Sequence, residues 1–372
     1  MLDIALKLLK EITSHSYEAY IVGGFVRDYL LGIESSDIDI TTNATPKEIK
    51  EIFQDSCLPS DDYGAVTVIK NGIRFEITTF RREIEYADNR KPVEIKYIDS
   101  LSEDLLRRDF TINTICMDTD GNIIDELNGR EDLGKKLIRT VGNAKERFEE
   151  DSLRILRAIR FATILDFSLE EDVIEAIHEK KGYVRNLSYY RKKMELEKIF
   201  TSPNCKKGIQ LLLDFGLENE LEIPNLHLLL RPDTISLMGI WSLLDVSDKY
   251  PFNRNELDLI HGIHDVLKKD HLDPMILYRY GLYVNSVAGE IQGEDIKSIT
   301  EAYSKLEIKS RKDIQIEAEK IMKIFQRDSG EYLKDVYYDI EEEILYQRLH
   351  NDEKSIIQYL KNKYGVNYEK NN

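Results

Sequence analysis

The fold of this 372-residue chain is decided by Gly23-Gly24-Phe25-Val26-Arg27-Asp28 and by Asp37-Ile38-Asp39-Ile40, which follows closely. Successive side chains of an extended strand point to opposite faces. Asp37 and Asp39 are therefore predicted to share one face, while the two isoleucines pack into a core on the other. Two carboxylates held in this way are hard oxygen ligands of the kind that Mg²⁺ prefers.

The glycine pair supplies the second half of the pattern. Because glycine has no Cβ, backbone N–H groups there can approach an anion, and Arg27 can add charge-assisted hydrogen bonds. Each motif alone is weak, since glycine pairs are common in turns and an Asp-x-Asp often marks only a solvated strand end. Metal-binding carboxylates beside a phosphate cradle together predict nucleotidyl or phosphoryl transfer.

Composition places the chain among soluble, helix-rich globular proteins, with 33% charged and 42% hydrophobic residues. Its length predicts two or more compact units. No apolar run approaches a membrane span, and Leu2, Ala5, Leu8, Leu9 and Ile12 form the stripe of an amphipathic helix rather than a signal peptide. Three widely spaced cysteines, Cys57, Cys116 and Cys205, predict reduced thiols in a cytoplasmic protein.

The net charge of −17 argues against a surface that coats nucleic acid broadly. Local basic tracts near a transferase site would instead suit one specific RNA end. The alternative, which charge alone favours, is that these tracts are ordinary solvated helix faces. The tracts contain Lys135, Lys136, Arg139, Lys145, Arg147, Arg154, Arg157 and Arg160, and Lys180, Lys181, Arg185, Arg191, Lys192 and Lys193.

Strand and helix patterns alternate in the first part of the chain. Strands are predicted over 18–22, 65–70, 73–80 and 93–98, with Asn71-Gly72 as a two-residue hairpin turn. Helices are predicted over 25–31, closed by Gly32, and from the capping boxes that begin at Thr45 and Ser100. The charged stretch 81–92 shows no periodicity and is predicted to be a flexible loop at the sheet edge.

From about residue 143 onward the pattern is nearly all helical. Helices are predicted over 149–165, 170–181 and 189–200, with Ser168 and Ser188 as N-caps of the last two. Further helices follow to the C-terminus. The architecture predicted is a compact head of strands and helices followed by a long helical body.

Arg107-Arg108-Asp109-Phe110-Thr111-Ile112-Asn113 is a third candidate motif, at the end of a predicted helix. Arg108 can bind phosphate through two hydrogen bonds, while Asp109 or Asn113 can bond ribose hydroxyls. The alternative is an ordinary ion pair at a helix end, which contributes little at a surface.

The fourth motif is a polar stripe in which Asp151, Arg154, Arg157 and Arg160 recur at every third residue. Cytosine and adenine both present an amino donor beside a ring-nitrogen acceptor. A carboxylate can accept from the amino group while a guanidinium donates to the ring nitrogen. Guanine and uracil present the reverse order and would leave both protein groups unpaired. One Asp/Arg pair could therefore select CTP and ATP; the alternative is a solvated helix face.

These motifs, in this order, resemble those of the class II CCA-adding tRNA nucleotidyltransferases, a family shared with bacterial poly(A) polymerases. The resemblance implies an α+β fold with a polymerase-β-like nucleotidyltransferase head, a small mixed sheet with helices, and an all-helical neck, body and tail. The implied divisions are a catalytic head over 1–142, a base-recognising neck over 143–203, a body over 204–305 and a tRNA-binding tail over 306–372. The matching residues are Gly23-Gly24-x-x-Arg27-Asp28, Asp37-x-Asp39, Arg107 to Asn113, Glu150-Asp151-x-x-Arg154 and the helix over 188–200.

The resemblance also implies a role for each matched residue. Asp37 and Asp39 hold Mg²⁺, and Gly24, Arg27 and Arg108 contact the nucleotide and its triphosphate. Asp151 and Arg154 contact the base, and Arg157 and Arg160 lie along the path of nucleotide and primer. Asp109, Asn113 and Glu150 bind ribose or support these groups. The implied activity is template-independent addition of CCA to the 3′ end of tRNA from CTP and ATP, with no membrane and no obligate protein partner.

Three other activities remain open at this stage. Bacterial poly(A) polymerases carry a Gly-Arg-Arg-Phe-Arg-Leu-like stretch where this chain has Asp62-Tyr63-Gly64-Ala65-Val66-Thr67-Val68. Enzymes that add only CC tend to lack part of the flexible loop, which is complete here over 81–96, including Asp88-Asn89-Arg90; enzymes that add only A are the other partial form. A non-catalytic tRNA-binding protein would be expected to lose a carboxylate, and both are present.

His261-x-x-His264-Asp265 invites comparison with metal-dependent phosphohydrolase domains. Further histidine and aspartate partners for a metal are not evident, so ordinary packing is the favoured interpretation.

Overall fold

The computed structural model describes residues 1–35, 37–58, 64–87, 91–231 and 236–365, with their side chains except those of residue 55 and residues 83–94. The chain divides into two compact units, Met1–His227 and Leu228–Asn372. The four-part division therefore stays a prediction. Asp62-Tyr63 and Asp88-Asn89-Arg90 lie outside the described residues. None of the helices within the described ranges is long and apolar enough to cross a membrane.

The described strands all belong to the first unit. They are β1 Ala19–Val22, β2 Ile38–Thr42, β3 Cys57–Leu58, β4 Ala65–Lys70, β5 Ile73–Thr79, β6 Arg81–Ala87, β7 Lys91–Tyr97, β8 Cys116–Met117, β9 Ile123–Ile124, β10 Leu137–Ile138 and β11 Ser168–Leu169.

Helices surround these strands in the first unit. They are α1 Leu2–Ser14, α2 Gly24–Leu31, α3 Pro46–Phe53, α4 Leu101–Leu106, α5 Gly129–Lys135, α6 Ala144–Glu150, α7 Leu153–Ile164, α8 Glu171–Lys180, α9 Tyr189–Phe200, α10 Cys205–Asp214 and α11 Glu218–Leu221. Short 3-10 helices lie at Gln54–Ser56, Thr111–Asn113, Lys181–Asn186 and Leu226–Leu230.

Seven strands form one mixed sheet in the order β3-β4-β5-β2-β1-β8-β9. β2 runs antiparallel to β1 and parallel to β5, which places it in the interior of the sheet. Its isoleucines, Ile38 and Ile40, are each 1% exposed and lie beside Phe75 and Ile77 of β5. The predicted α+β class with a small mixed sheet is confirmed.

Local sequence signals account for several element boundaries. The left-handed backbone of Gly32 ends α2, and Thr45 forms the predicted capping box with Glu48 at the start of α3. Asn71 and Gly72 both have positive φ, as a two-residue hairpin turn requires. The stripe predicted on α1 is buried at Ala5, Leu8, Leu9 and Ile12, and the three cysteines are free thiols, as predicted.

The loop predicted over 81–92 is wrong. β6 and β7 pair antiparallel into a separate two-stranded sheet, with register shifts between Glu83 and Tyr86. High charge density concealed the alternation of Ile84 and Tyr86 in β6 and of Val93, Ile95 and Tyr97 in β7, which is typical of strands.

The single helix predicted over 149–165 is also wrong, because the chain breaks between α6 and α7. Asp151 has extended backbone angles, φ −143° and ψ 103°, and its carboxylate accepts a hydrogen bond from the Leu153 N–H at 3.1 Å. An aspartate that caps a following helix competes with continuation of the preceding one. Ser188 caps α9 as predicted, but Ser168 lies in β11 and Glu170 takes the N-cap position of α8.

The described part of the second unit is helical. Its helices are α12 Leu237–Leu244, α13 Arg254–Val266, α14 Pro274–Gln292, α15 Ile296–Ser304, α16 Ala318–Phe325, α17 Tyr332–Leu345 and α18 Glu353–Tyr364, with a 3-10 helix at Arg311–Asp313. Gly281 interrupts α14 with φ 74° and ψ 171°, and Asn285 donates a hydrogen bond to its carbonyl at 2.7 Å. Only glycine adopts such a backbone without strain.

His264 of α13 serves packing rather than metal binding. Its Nε2 lies 2.6 Å from the Ser242 carbonyl, and its Nδ1 lies 3.7 Å from Asp245. Within the described ranges, no group of three or more His, Cys, Asp or Glu side chains is placed to hold a metal ion.

Candidate active site

The two motif aspartates stand at and just before the start of β2. Asp37 and Asp39 are exposed, while Ile38 between them is buried, so the alternation follows the sequence prediction. Loss of hydration around the Asp39 carboxyl, together with the charges of Asp37 and Glu76, raises its pKa to about 6; Arg108 acts in the opposite sense. The pair is therefore an anionic position that favours a cation.

Glu76 is a third carboxylate that the sequence analysis missed. It lies directly beside Asp39 in the parallel ladder of β2 and β5. The available signal was an exposed Glu76 between the buried Phe75 and Ile77 in a strand. That signal indicates on which side of the sheet Glu76 lies. Only the pairing of β2 with β5 shows that its neighbour there is Asp39.

The glycine pair that the sequence predicts to be a phosphate cradle lies where β1 leads into α2. Gly23 has φ 79° and ψ −133° and donates its N–H to the Ile115 carbonyl at 3.3 Å. A Cβ built on Gly23 would lie 3.6 Å from an Arg108 nitrogen, and one built on Gly24 would lie 3.7 Å from Arg27. Bare backbone and two guanidinium groups therefore meet at one place, which is the arrangement that an anion requires.

Arg27 is buried and held by three neighbours. It donates to Asp28 at 2.8 Å and to the Asn113 side-chain oxygen at 2.8 Å, and its guanidinium lies 5.2 Å from the Phe161 ring centre. The sequence analysis assigned Arg27 to phosphate without these neighbours. Their effect is to fix the direction in which the guanidinium points.

Asp104 is a second residue that the sequence analysis missed. It is 0% exposed and accepts hydrogen bonds from Arg107 at 2.8 Å and from Arg108 at 3.2 Å. The hydroxyl of Thr41, on β2, lies 3.4 Å away. Burial by itself would raise the pKa of the Asp104 carboxyl, but both arginines outweigh it and keep that pKa below its usual range. Asp104 thus ties the arginine pair to the strand that carries Asp39.

Asp109 and Asn113 bond to protein groups in this structure. Asn113 donates to Asp109 at 3.0 Å, and Arg157 Nε donates to the other carboxylate oxygen at 2.7 Å. Burial would raise the pKa of Asp109, yet the Arg157 charge and the hydrogen bonds hold it well below its usual range. Arg157, Asp109, Asn113 and Arg27 are thereby linked in one chain of hydrogen bonds.

The side chains of Asp151 and Arg154 bind different partners, although the Arg154 backbone N–H donates to the Asp151 carbonyl at 3.0 Å. Asp151 accepts from Arg191 of α9 at 3.0 Å. Arg154 is buried and donates to Glu150 at 2.7 Å and to the carbonyls of Arg147, at 2.9 Å, and Arg107, at 3.2 Å. Glu150 thus supports Arg154. The hydrogen bond to the Arg107 carbonyl also connects Arg154 to the pair Arg107 and Arg108 beside the glycine pair.

Arg160 completes the stripe on α7. It forms an ion pair with Glu195 of α9 at 3.2 Å, and both side chains are buried. Burial and the nearby Arg157 lower the pKa of Arg160 to about 10. Its guanidinium lies 4.3 Å from the Phe161 ring centre, and that of Arg157 lies 5.4 Å from it. The stripe is therefore a set of fixed, largely buried cations and not a solvated face.

The donor set is suited to a divalent metal. Asp37 and Asp39 offer open carboxylate oxygens, which suit a hard cation that shares its coordination with substrate phosphates. The raised pKa of Asp39 reflects first the loss of hydration around its carboxyl and then the negative charges of Asp37 and Glu76, which such a cation would offset.

The chain is similar to known proteins along nearly its whole length. Family models match the Poly A polymerase head domain at residues 19–139, the probable RNA and SrmB-binding site of polymerase A at 166–228, and a putative tRNA nucleotidyltransferase domain 2 at 249–360. The chain is 34% identical to the CCA-adding enzyme of Geobacillus sp. (strain WCH70), over 96% of each protein. This chain belongs to the family of CCA-adding enzymes.

Other CCA-adding enzymes are also similar to this chain in sequence or in structure. That of Staphylococcus haemolyticus (strain JCSC1435) is 35% identical, over 96% of this chain and 97% of that protein. The crystal structure of the Bacillus stearothermophilus CCA-adding enzyme in complex with CTP matches with a TM-score of 0.86 at 27% identity, covering 98% of this chain and 97% of that one. The Thermotoga maritima CCA-adding enzyme complexed with tRNA shares the fold, with a TM-score of 0.65 at 23% identity, 98% coverage of this chain and 95% of that one. Nucleotidyltransferases of this family use a divalent metal ion.

Proposed function

We propose that this protein adds CCA to the 3′ end of tRNA in the cytoplasm, using CTP, ATP and Mg²⁺, without a nucleic-acid template. The observation that carries the proposal is the meeting of a carboxylate pair with an arginine-lined glycine cradle, in a chain that belongs to the CCA-adding enzymes along nearly its whole length. The tRNA 3′-hydroxyl attacks the α-phosphorus of the nucleotide, and pyrophosphate leaves.

Asp37 and Asp39 are proposed to hold the metal, with Glu76 beside them as a further carboxylate. Bound Mg²⁺ would lower the pKa of the attacking hydroxyl and stabilise charge on the leaving pyrophosphate. The raised pKa of Asp39 supports this assignment, because a carboxylate crowded by other carboxylates binds a dication well.

Gly24, Arg27 and Arg108 are proposed to hold the triphosphate. The backbone at the start of α2 gives close approach, and the two guanidinium groups supply charge where it develops on the phosphates. Asp104 positions Arg108, since its buried carboxylate lies 3.2 Å from that side chain. The cradle is therefore held ready before the nucleotide arrives.

Asp151 and Arg154 are proposed to select the base. A carboxylate that accepts from an amino group and a guanidinium that donates to a ring nitrogen favour cytosine and adenine over guanine and uracil. In this structure these two groups bond instead to Arg191 and to Glu150. Base binding would then exchange those protein partners for the base edge.

The remaining predicted residues are proposed to support these groups. Asp109 and Asn113 link Arg157 to Arg27 through hydrogen bonds of 2.7 to 3.0 Å, which favours a structural over a ribose-binding role. Glu150 supports Arg154. Arg157 and Arg160 line the route of nucleotide and primer as fixed cations.

The second unit is proposed to contact tRNA away from the 3′ end, in line with the predicted tail over 306–372. It contains a cavity of about 500 Å³ whose cationic lining residues are Arg279, Lys309, Arg311 and Lys334. Arg311 is paired with Glu341 at 2.9 Å, while the other three have no ion-pair partner within the described ranges. A cationic hollow in a protein of net charge −17 favours phosphate oxygens.

The test is a gel-resolved extension assay with purified protein and Mg²⁺. Substrates are tRNA ending before CCA, after C and after CC, each with CTP, ATP or both. Growth of the shortest substrate by two C and then one A is expected. Arrest after CC, or A addition only to the CC-ended tRNA, indicates a partial enzyme. Long A tails on arbitrary RNA indicate a poly(A) polymerase, and no extension contradicts the proposal.

A further inference from the structure

Two ion pairs fix helix α9, one to Asp151 in the break between α6 and α7 and one to Arg160 of α7. Arg191, near the start of α9, bonds Asp151 at 3.0 Å, and Glu195, one turn later, lies 3.2 Å from Arg160. Lys198 follows Glu195 by three residues and so lies on the same face of α9. The face that begins at the base-selecting aspartate therefore ends at Lys198.

From this face of α9, Lys198 lies within electrostatic range of charged residues of the site. The negative charge of Asp37, the first of the two metal-site aspartates, acts on its ammonium, as do the positive charges of Arg160 and Arg157. Loss of hydration and the repulsion from Arg160 lower the pKa of Lys198. This face of α9 thus runs from the base end of the cleft to its metal end.

Among the residues that the structure describes, none is a partner that would account for the position of Lys198. Its side chain is exposed, and it forms no ion pair or hydrogen bond with any of the described residues. The nearest carboxylate on its own helix face, Glu195, is already bound to Arg160. Arg157 is likewise matched by Asp109, whose Oδ2 accepts its Nε at 2.7 Å. An exposed ammonium beside two guanidinium groups, which are themselves paired with Asp109 and Glu195, remains available to bind an anion.

We propose that Lys198 binds a phosphate group of the substrates, opposite the metal-site carboxylates. The inference rests on the proposed nucleotidyl transfer and adds a phosphate contact from the helical neck to those of the head. The group is either the triphosphate of the incoming nucleotide or the terminal phosphodiester of the RNA. Lysine suits this position because its ammonium is a compact charge on a flexible stem, able to follow a phosphate as it moves.

The experiment compares Lys198→Met, Lys198→Arg and the wild-type enzyme. Lys7→Met, at an exposed position of α1, is the control for loss of one lysine charge. KM for CTP, KM for tRNA and kcat are measured, and CTP binding is titrated at equilibrium without tRNA. Because a hydrogen bond to a charged group is strong, Lys198→Met should weaken the binding of one of the two substrates by about tenfold or more. Lys198→Arg should restore most of that binding. Unchanged melting temperatures exclude misfolding.

The two phosphate sources give different patterns. A nucleotide contact raises KM and Kd for CTP and leaves KM for tRNA unchanged, whereas an RNA contact raises KM for tRNA and leaves CTP binding unchanged. Changes below twofold in every parameter, or equal changes in Lys7→Met, overturn the inference while the proposed function stands. Absence of extension by the wild-type enzyme refutes the proposed function instead. In that case binding is still measured in Lys198→Met, with CTP by equilibrium titration and with RNA by filter retention. If both dissociation constants equal those of the wild-type protein, the phosphate contact is overturned.

Discussion

Asp39 of β2 lies directly beside Glu76 of β5, in register across the parallel ladder. Both project from the exposed side of the sheet, while their neighbours Ile38, Ile40, Phe75 and Ile77 are buried beneath. This pairing places Glu76 beside Asp39, one of the two aspartates that the proposed function assigns to the metal. One strand pairing brings together residues that are 37 positions apart.

We predict that Glu76→Gln lowers kcat by about 10- to 100-fold, the range found when a group that supports a metal site is lost. The fold should be unaffected, because Glu76 is exposed. The measurement is kcat across a Mg²⁺ titration, in which a higher metal requirement is expected. Arg74→Gln, on the same strand and also exposed, is the matched control and should retain activity. Equal rates for Glu76→Gln and wild type would remove Glu76 from the site.

Asp39→Asn should abolish transfer and stabilise the metal-free protein above neutral pH. The pKa of Asp39 is raised to about 6, so the folded protein binds this proton more tightly than the unfolded chain does. The stability that this carboxyl contributes is present below its unfolded pKa and is lost as pH rises through 6. Removing the charge should therefore gain at most about 1 kcal/mol above pH 7, after allowance for solvent screening, and nothing below pH 4.

The measurement is the melting temperature of both proteins, without divalent metal, from pH 4 to pH 8. A gain that is independent of pH, or a loss at pH 8, would contradict the prediction. Ser35→Ala, in the chain just before the strand, serves as a control for a neutral change nearby.

Asp104→Asn should act on both stability and nucleotide binding. It removes the charge that two buried guanidinium groups share, and breaking a buried ion pair costs about 3–5 kcal/mol. Release of Arg108 should also raise KM for CTP and for ATP by a similar factor, since the triphosphate is common to both. Urea denaturation and steady-state kinetics measure the two effects. Glu103→Gln, on the exposed side of α4, is the control; unaltered KM values would argue against a positioning role.

Arg154→Ala should relax base choice before it stops chemistry. In the proposed function Arg154 donates to the ring nitrogen of C or A, and loss of that donor should remove the penalty against U and G. Misincorporation of UTP and GTP relative to CTP should rise by about tenfold, which is the worth of one such bond. The assay is single-nucleotide extension with each of the four triphosphates. Unaltered selectivity in an active Arg154→Ala enzyme would refute selection by the protein.

Loss of lysines that line the cationic cavity of the second unit should weaken tRNA binding and leave CTP binding unchanged. Lys309→Ala with Lys334→Ala should raise KM for tRNA and reduce the slope of log affinity against log salt by about 1 to 2, because each lysine that neutralises a phosphate adds about one to that slope. KM for CTP should stay constant. Lys297→Ala with Lys305→Ala, two lysines at the start and end of α15 that do not line the cavity, provide the charge-matched control. Identical salt slopes in both double variants would exclude the cavity.

The sequence predicted correctly those features that depend on a local signal. Alternation placed Asp37 and Asp39 on one face, and the capping residues Thr45, Ser100 and Ser188 marked the helix starts that the structure shows. Each of these features depends on a few consecutive residues. The helical second part followed from the same kind of signal, whereas the small mixed sheet was implied only by the family resemblance.

The features that were missed depend on residues far apart in the chain. Glu76 becomes part of the site only through the pairing of β2 with β5, and Asp104 only through its burial beside Arg108 and Thr41. The break at Asp151 was hidden because a helical apolar pattern continues on both sides of it. The β6–β7 hairpin was hidden by charge, since pattern reasoning weighs polarity more than alternation.

The ring of Phe161 lies within about 5 Å of three guanidinium groups, those of Arg27, Arg157 and Arg160. Its electron-rich face attracts cations without accepting their hydrogen bonds and without contributing a formal charge. An acid in its place would neutralise the cluster and compete with every incoming phosphate. The phenyl ring instead lets three guanidinium groups gather while Asp28, Asp109 and Glu195 balance them, so a side chain with no polar atom helps to hold together the cations that the proposed function places along the substrate path.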